Sequence, residues 1–376
     1  MAVFSRAIAI AVFSVCTALG QTVSTLVSGS TFNDGLALDG AGNIYASRYY
    51  GTTVTKITPA GQATIFATGL SSPNGLTFGP DGNLYVPNAS GNSISKVAPD
   101  GTRTTFLMIA DPATALFNND GTLLVTHYNQ NKISLVDTNL TVTDFLVGGA
   151  LNGPIDLVWD DDGVLYIGNF NDGKIFRFTT AAGLEVIGDI PGWLGFMTLA
   201  GNAIYATGWQ DNRIYKVPLD GSGSQIFAGT GALGNNDGPV GSATFSNPNG
   251  IVATSTGDTL YISDYTSRSL RMITGVNTST DVGGASQRVQ RFQLFQNYPN
   301  PFNPSTTVRF RVPVMSQVSI NIYDIIGNEV ASLVNDRMTA GEHEVVFDAR
   351  DLSSGVYLAR MIAGTYAQTQ MLLLLK

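Results

Sequence analysis

An all-β fold is predicted for this chain of 376 residues by three features of its sequence. Glycine occupies 42 positions and charged residues make up only 13%, a composition typical of short strands joined by tight turns. A pattern of roughly 40 residues recurs through the first two thirds of the chain. The last part alternates apolar and polar residues, which is the period of a half-buried strand. These features predict a repetitive β-domain followed by a smaller β-domain.

The N-terminal residues, 1–20, predict a cleavable secretory signal. One basic residue precedes an apolar run over residues 7–15, and Ala18 and Gly20 occupy positions −3 and −1 of the expected cut. The run is too short to span a bilayer as a helix, so no transmembrane segment is expected. Cleavage would remove Cys16, the only cysteine, and would leave neither a disulfide nor a thiol nucleophile.

Six similar phrases run through residues 21–276. They are GNIYASR, GNLYVPN, GTLLVTH, GVLYIGN, NAIYATG and DTLYISD, centred on Tyr45, Tyr85, Leu124, Tyr166, Tyr205 and Tyr261. Each unit contains an apolar strand, a hairpin turn such as Asp81-Gly82, the central strand and two further strands. Four antiparallel strands per repeat predict a β-propeller with six blades.

The sixth unit ends after RSLRMI without a fourth strand. Residues 24–29, STLVSG, belong to no blade of their own, and we expect them to close the ring as that strand. Such closure would cover an exposed sheet edge.

The stretch AGTGALGNNDGPVGSATFSNPNGIV, residues 228–252, is similar to the NHL repeat family. It combines a glycine-spaced loop, Asp237-Gly238, an “ATF” strand and Pro248-Asn249-Gly250. The resemblance extends over residues 22–276 and implies a propeller. NHL-type propellers serve as binding platforms, and related folds include lyases and hydrolases.

Two rows of residues at matched blade positions are candidates for the mouth of the central channel. The first row precedes or opens the innermost strand and contains Asp34, Asn74, Ala113, Ile155, Leu194 and Asn249. The second row lies three residues after the central aromatic and contains Arg48, Asn88, His127, Asn169, Gly208 and Asp264. Blades six, one and two are polar in both rows, which predicts a polar and acidic side of the channel, where a ligand or ion would lie beside Asp34. Alternatively, Asn and Asp before Gly simply form turns.

The phrases NDGLAL, PNGLTF and GPIDLVW resemble the metal-site phrases of the gluconolactonase and regucalcin-like propellers. The resemblance implies a divalent cation such as calcium, held by Asp34, Asn74 and Asp156, in a metal-dependent hydrolase. Asp156 falls one position late, which turns it to the other face of its strand.

Comparison with virginiamycin-lyase-like propellers implies a catalytic histidine, for which His127 is the only candidate in the body of the chain. A single histidine beside Tyr128 on a loop is expected at the surface. Trp193 and Trp209 could stack on a sugar ring, although such residues also serve as packing. The sequence contains no Gly-x-Ser-x-Gly, His-Glu-x-x-His or P-loop motif.

Residues 277–291 are polar without periodicity and are expected to form a linker. Residues 292–376 contain five alternating strands, which predict a small immunoglobulin-like β-sandwich. The phrases YPNPFNPST, IYDIIGNEV, GEHEVVFDA and LSSGVYLAR and the final lysine resemble the C-terminal sorting domain of type IX secretion. This resemblance implies handling by the type IX machinery, removal of the domain, and a propeller that is released or held at the outer cell surface.

The charge balance disfavours a nucleic-acid partner. The chain has 28 acidic and 20 basic residues, a net charge of −8, and no cluster of Lys or Arg. We therefore predict an exported, non-catalytic binding module for a small-molecule, glycan or protein ligand. The alternative is a metal-dependent gluconolactonase-like hydrolase or lyase that acts at the channel. The predicted ligand contacts are Asp34, Arg48, Asn74, Asn88, His127, Asp156, Asn169, Asn249 and Asp264.

Overall fold

The structure, a computed structural model, describes residues 20–118, 121–160, 163–180, 182–276, 292–312, 316–339, 341–363 and 366–376. Every regular element within these ranges is a β-strand. The predicted linker, and all of the predicted signal except Gly20, lie outside the described residues. The chain divides into two compact units, and the boundary between them follows Thr280.

Six sheets form the first unit, and each of the first five runs from an inner to an outer strand along the chain. The N-terminal strand is β1 (Thr22–Val27), and sheet one contains β2 (Leu36–Leu38), β3 (Ile44–Ser47), β4 (Val54–Ile57) and β5 (Ala63–Ala67). Sheet two contains β6 (Thr77–Phe78), β7 (Leu84–Asn88), β8 (Ser93–Val97) and β9 (Arg103–Met108). Sheet three contains β10 (Pro112–Phe117), β11 (Leu123–His127), β12 (Lys132–Val136) and β13 (Val142–Val147).

The remaining sheets of this unit repeat the pattern. Sheet four contains β14 (Pro154–Trp159), β15 (Leu165–Asn169), β16 (Lys174–Thr179) and β17 (Gly183–Asp189). Sheet five contains β18 (Leu194–Ala200), β19 (Ala203–Gly208), β20 (Arg213–Pro218) and β21 (Gln225–Ala228). Sheet six contains β22 (Gly238–Pro239), β23 (Pro248–Ala253), β24 (Thr259–Asp264) and β25 (Ser269–Thr274), together with β1.

The innermost strands contact one another in a cycle, β2 with β6, then β10, β14, β18, β23 and β2 again. Strand β1 pairs antiparallel with β25, with Thr22 opposite Thr274 and Val23 opposite Ile273. Strand β1, at the N-terminal side of the unit, is thus part of sheet six. This pairing covers the edge of β25, whose backbone groups would otherwise lack ladder partners.

A buried arginine holds this junction together. Arg271 on β25 is fully buried and forms ion pairs with Asp237, at 2.8 Å, and Asp264, at 3.2 Å. Asp237 also accepts hydrogen bonds from the backbone N–H and the hydroxyl of Thr25, at 3.0 and 2.9 Å. Although burial opposes the effect, the bonds from Thr25 and Arg271 lower the pKa of Asp237. The loop before β23 therefore anchors β1 through a charged network.

The “ATF” strand expected at residues 243–245 is absent. These residues form a buried irregular segment, in which Ala243 and Phe245 are fully covered and Phe245 lies under the Arg271 guanidinium. The segment packs as part of the loop that carries Asp237, where Phe245 forms an isolated parallel bridge with Leu233 and the N–H of Thr244 donates to the carbonyl of Asn236 at 3.1 Å.

The recurring central aromatic packs between sheets and also binds its own hairpin turn. Tyr45 meets Phe66 and Phe78 edge-on, with ring centroids 4.8 and 5.1 Å apart. Its hydroxyl donates to the carboxylate of Asp39 in the turn at 3.2 Å. The hydroxyl of Tyr85 donates in the same way to the carboxylate of Asp81 at 3.0 Å. The Asp of the hairpin turn and the central Tyr therefore recur as a hydrogen-bonded pair.

The second unit consists of two sheets around one core. Its strands are β26 (Gln293–Leu294), β27 (Ser305–Val312), β28 (Ser316–Tyr323), β29 (Glu329–Met338), β30 (Gly341–Asp348), β31 (Gly355–Ala363) and β32 (Tyr366–Leu374). One sheet has the order β26-β27-β30 and the other β29-β28-β31-β32. The two sheets share a core that includes Phe302, Phe310, Ile320, Phe347 and Leu372.

Strand β29 was not among the five strands predicted for this unit. It is an edge strand with no fully buried position, so its sequence lacks the clean alternation of a half-buried strand. Among the described residues, no helix has the length and apolar character needed to cross a membrane.

Candidate functional site

The first row lies where the innermost strands begin. We call this end of the ring the mouth. Asp34 and Asn249 are 3% and 7% exposed, and the side-chain amide of Asn249 donates a hydrogen bond to Oδ1 of Asp34. The other oxygen, Oδ2, is buried without a hydrogen-bond partner among the described residues. Burial raises the pKa of Asp34 to about 8, an effect that the Asn249 bond only partly offsets. At neutral pH the carboxyl group is therefore mostly neutral and can donate its proton.

The glycines that follow this row are not in turns. Gly35, Gly75 and Gly250 lack the positive φ of a left-handed turn. A Cβ on Gly250 would lie 2.2 Å from the carbonyl oxygen of Asp34, and one on Gly35 would lie 2.8 Å from that of Asn74. These glycines allow neighbouring innermost strands to approach closely. The interpretation of the Asn-Gly and Asp-Gly pairs as turns is therefore wrong at these positions.

Hydroxyl groups on the second strands join adjacent sheets behind this row. The Ser263 hydroxyl accepts from the N–H of Gly250 at 2.9 Å and donates to the carbonyl of Asp34 in the next sheet at 2.6 Å. In the same way, Thr207 donates to the carbonyl of Asn249 at 2.6 Å. The backbone that carries Asp34 and Asn249 is thus held rigidly across the junctions between sheets.

In sheet four, Asp156 itself joins the adjacent sheet, because the residue opposite it on the second strand is Gly168, which has no hydroxyl group. Its Oδ2 accepts from the N–H of Met197 in sheet five and its Oδ1 from the N–H of Leu157, both at 2.9 Å. Burial is the largest effect on Asp156 and raises its pKa to about 7. Within the predicted metal set of Asp34, Asn74 and Asp156, each oxygen of Asp156 thus already accepts one backbone hydrogen bond. No group of three His, Cys, Asp or Glu side chains suited to a metal occurs in the part of the chain that the structure describes.

His127 is buried, so its expected place at the surface is wrong. The ring is 1% exposed, with Nδ1 2.6 Å from the carbonyl oxygen of Ala110 and Nε2 2.9 Å from the hydroxyl of Ser134. Burial is the main cause that lowers its pKa. With both nitrogens engaged inside sheet three, the side chain has no free atom to offer a ligand.

The rest of the second row is also mostly structural. Asn88 donates to the Ser95 hydroxyl at 2.9 Å, and Asn169 donates to the carbonyl of Ala150 at 2.9 Å. Asp264 is fully buried against Arg271, and burial outweighs that ion pair to raise its pKa to about 6. Arg48 is partly exposed and makes no ion pair with Asp264. These buried side chains tie the second strand to the third or to the entry loop, while Oδ1 of Asn169 and Oδ1 of Asp264 have no hydrogen-bond partner among the described residues.

In sheet five, the strand pairing shows that the first row was aligned one residue too early. Leu194 lies opposite Gly208 just as Pro248 lies opposite Asp264. The residue that matches Asn249 is therefore Gly195, one position later than the Leu194 expected from the sequence. A Cβ on Gly195 would lie 2.8 Å from Oδ1 of Asn249, so this sheet approaches the polar row without adding a side chain.

An aromatic arc follows the mouth over sheets three to six and includes Trp193 and Trp209, the two residues that the sequence offered for stacking on a sugar. Its members are Tyr128, Phe170, Trp193, Trp209 and Tyr265, with successive ring centroids 5.5, 5.4, 5.3 and 5.8 Å apart. The signal was present in the sequence, because the residue directly after the second row is aromatic in five of six repeats: Tyr49, Tyr128, Phe170, Trp209 and Tyr265. Ala89 is the exception.

Tyr49 connects this arc with the polar row. Burial raises the pKa of Tyr49 to about 12, and the charges of Asp34 and of Asp111 and Tyr128 in sheet three add to the effect. Burial also raises the pKa of Tyr265, again with a contribution from Asp34. Tyrosine hydroxyls from different sheets thus lie within the electrostatic field of the same carboxyl group. Asp34, Tyr49 and the aromatic arc form one candidate ligand site.

The channel beneath the mouth is constricted. A cavity of about 120 Å³ is bounded by all six innermost strands, including Leu36, Gly75, Thr114, Asp156, Phe196 and Ile251. The Phe196 ring reaches across from sheet five, since a Cβ on Gly75 of sheet two would lie 3.1 Å from its Cε1.

Comparison with known families agrees with this architecture. The model of the virginiamycin B lyase family matches residues 20–259. The chain belongs to the virginiamycin B lyase family. Residues 296–374 match the model of the secretion system C-terminal sorting domain. The chain therefore carries a sorting domain that directs it through type IX secretion to the cell surface or the extracellular space. No curated protein matches the chain.

Solved structures show the same fold at low identity. Virginiamycin B lyase from Staphylococcus aureus is 18% identical, with a TM-score of 0.51 over 68% of this chain and 98% of that one. A gluconolactonase from Xanthomonas campestris is 14% identical, with a TM-score of 0.55 over 67% and 89%. An auxiliary nutrient binding protein from Bacteroides thetaiotaomicron is 16% identical, with a TM-score of 0.61 over 67% and 76%. These likenesses support a β-propeller for the first unit.

Proposed function

We propose that the protein is an exported binding module whose ligand occupies the mouth of the ring. In this proposal, residues 1–20 are a secretory signal and residues 21–276 form an NHL-type propeller of six blades. Strand β1 closes the propeller, and residues 292–376 direct its export. The single observation that carries the proposal is the buried Oδ2 of Asp34, which has no partner among the described residues, in a carboxyl group whose charge acts on Tyr265 of the aromatic arc. A buried polar atom without a partner is costly, and a bound ligand would relieve that cost.

The chemistry of the site favours a ligand with a polar ring, of which a sugar is the simplest example. Trp193 is 39% exposed and lies 5.3 Å from Trp209, so an indole face is available for stacking. Asp34 can exchange hydrogen bonds with ring hydroxyl groups, as Asn249 already does with its other oxygen. The nutrient-binding relative from Bacteroides thetaiotaomicron supports a binding role, although its likeness is one of fold.

Tryptophan fluorescence of the full chain provides the test. All three tryptophans lie in the first unit, and two of them belong to the aromatic arc. Titration with a panel of monosaccharides, oligosaccharides and lactones should identify a saturable ligand, and Trp193→Ala should weaken its binding at least tenfold. Tyr298→Ala, which removes a 79% exposed aromatic ring from the other unit, should leave the affinity unchanged. Equal affinities in both variants would refute a site at the mouth.

Membership of the virginiamycin B lyase family supports a second candidate, a hydrolase or lyase at the same mouth. Calorimetry with calcium, magnesium and zinc would distinguish the two. Tight metal binding that Asp34→Ala abolishes, together with turnover of a lactone, would favour the enzyme. Binding of an organic ligand without turnover would favour the binding module.

A further inference from the structure

The hairpin between β28 and β29 presents two isoleucines at its tip. Ile325 is 74% exposed and Ile326 is 80% exposed. The preceding strand alternates in the usual way, and its Val318, Ile320 and Ile322 are fully buried in the core of the unit. The two tip residues interrupt that alternation and contribute nothing to the core.

The turn that carries them is well ordered by hydrogen bonds. Oδ1 of Asp324 accepts from the N–H groups of Ile326 and Asn328, at 3.0 and 2.9 Å, and Oδ2 accepts from the Asn328 amide at 2.9 Å. Gly327 adopts a φ of 89° and donates to the carbonyl of Asp324 at 3.1 Å. The turn therefore holds the isoleucines outward in a defined position.

The same turn occurs in the first unit without large apolar residues at the two positions that correspond to Ile325 and Ile326. Asp39 accepts from Ala41 and Asn43 at 3.0 and 2.8 Å, and the intervening residues are Gly40 and Ala41. Asp137 accepts from Asn139 and Thr141, both at 2.8 Å. Here the corresponding residues are Thr138 and Asn139, and both are exposed. Small or polar residues thus satisfy this turn, so its geometry does not require isoleucine at positions 325 and 326.

We propose that Ile325 and Ile326 form the contact through which the sorting domain docks into an apolar pocket on a protein of the type IX secretion machinery. The type IX machinery recognises this domain, and a rigid tip with two exposed apolar side chains is suited to a hydrophobic pocket. Because the turn leaves these positions free to be polar, recognition provides the reason for their apolar character.

The surrounding charge favours a protein pocket over a lipid surface. The hairpin, residues 316–338, contains Asp324, Glu329 and Asp336 and one basic residue, Arg337, which lies opposite Gln317 at the end far from the tip. An acidic hairpin is repelled by anionic headgroups, and two isoleucines offer little apolar area for insertion into a bilayer. A pocket with a basic rim would accept both the acidic flanks and the isoleucine tip.

The test is export of a full-length double variant, Ile325→Thr with Ile326→Asn, which copies the residues of the Asp137 turn. We expect its thermal unfolding by calorimetry to match that of the natural protein, while the exported fraction falls at least tenfold and the chain accumulates inside the cell envelope. The matched control is Val346→Thr, which removes a 64% exposed apolar side chain elsewhere in the same domain and should be exported normally. Normal export of the folded double variant would overturn the proposal.

A second experiment does not depend on the stability of the double variant. A photoreactive phenylalanine analogue at position 326 of the full chain should crosslink to a component of the secretion machinery during export, whereas the same analogue at position 346 should not. Crosslinking only to a second copy of the chain would overturn the proposal. Binding of the purified chain to vesicles of phosphatidylethanolamine and phosphatidylglycerol that is lost in the double variant would assign the tip to lipid, and would also overturn it.

Discussion

Asn249 donates a side-chain hydrogen bond to Asp34 across the junction between sheets six and one. The second oxygen of Asp34 is buried and has no hydrogen-bond partner in the part of the chain that the structure describes. The bond joins residues from opposite ends of the first unit, so the candidate site is complete only when the innermost strands complete their cycle. Folding of the ring and formation of the site are therefore coupled.

The stability of the first unit should fall between pH 7 and pH 9. Burial raises the pKa of Asp34 to about 8, from 3.8 for a free carboxyl group. The raised pKa contributes stability that is fully present below the unfolded value and is lost as the pH rises through about 8. From pH 7 to pH 9 the loss should be about 1–2 kcal/mol, or roughly 3 °C in Tm. Asp34→Asn should remove most of this loss in fluorescence-monitored melts, and the smaller remainder belongs to Asp156, whose pKa is raised to about 7.

Asp100→Asn serves as the control for this titration. The backbone N–H of Thr102 is the main cause that lowers the pKa of Asp100, so its contribution is lost only as the pH falls through that lowered value. The pH 7 to pH 9 difference of the control should equal that of the natural protein. If Asp34→Asn shows the same difference as this control, Asp34 does not titrate as described.

Gly75→Ala should destabilise the first unit because the channel has no room for a methyl group there. A Cβ at this position would lie 2.1 Å from the Thr114 hydroxyl and 3.1 Å from the Phe196 ring. Overpacking of this kind costs about 1–3 kcal/mol. Denaturant unfolding followed by tryptophan fluorescence measures it. Gly40→Ala, where the added Cβ meets nothing within 4 Å, should change the free energy of unfolding far less, and equal effects would contradict a packed channel.

Arg271→Met should be among the most destabilising substitutions in the first unit. It leaves Asp264, which is fully buried, without its ion-pair partner, and it removes one anchor of Asp237. Loss of one partner of a buried pair costs about 3–5 kcal/mol. Lys96→Met breaks a pair with Asp81 that is 36% exposed on both sides, and should cost at most about 1 kcal/mol. Chemical denaturation of both variants should give clearly different midpoints.

Removal of residues 292–376 should prevent export without unfolding the first unit. The core of the second unit is formed by its own residues, and the sorting-domain match lies within it. We expect the truncated chain to remain inside the cell envelope with the tryptophan emission and melting temperature of the full chain. Recovery of the truncated chain outside the cell at normal levels would show that export does not need the sorting domain.

Much of the architecture could be predicted from local sequence signals. The six central strands lie at the phrases centred on Tyr45, Tyr85 and their counterparts, because hairpin turns and alternating strands are specified by neighbouring residues. Strand β29 escaped prediction since an edge strand with few buried positions has little pattern to detect. An aromatic residue follows the second row in five of six repeats, but only the packing of these rings across adjacent sheets shows that they form an arc.

The sequence by itself determined the all-β class, the repeat, the sorting domain and the polar residues available to a site. Only the tertiary structure decided what those residues do. His127 and Asp264 stand in the same row as Arg48, yet they are buried because Ser134, Ala110 and Arg271 supply their partners. In sheet five the first-row position is Gly195, one residue later than the predicted Leu194. A shift of one residue matters because successive side chains of a strand point to opposite faces. Asp34 became the centre of the candidate site because strands distant in sequence buried one of its oxygens and gave it no partner.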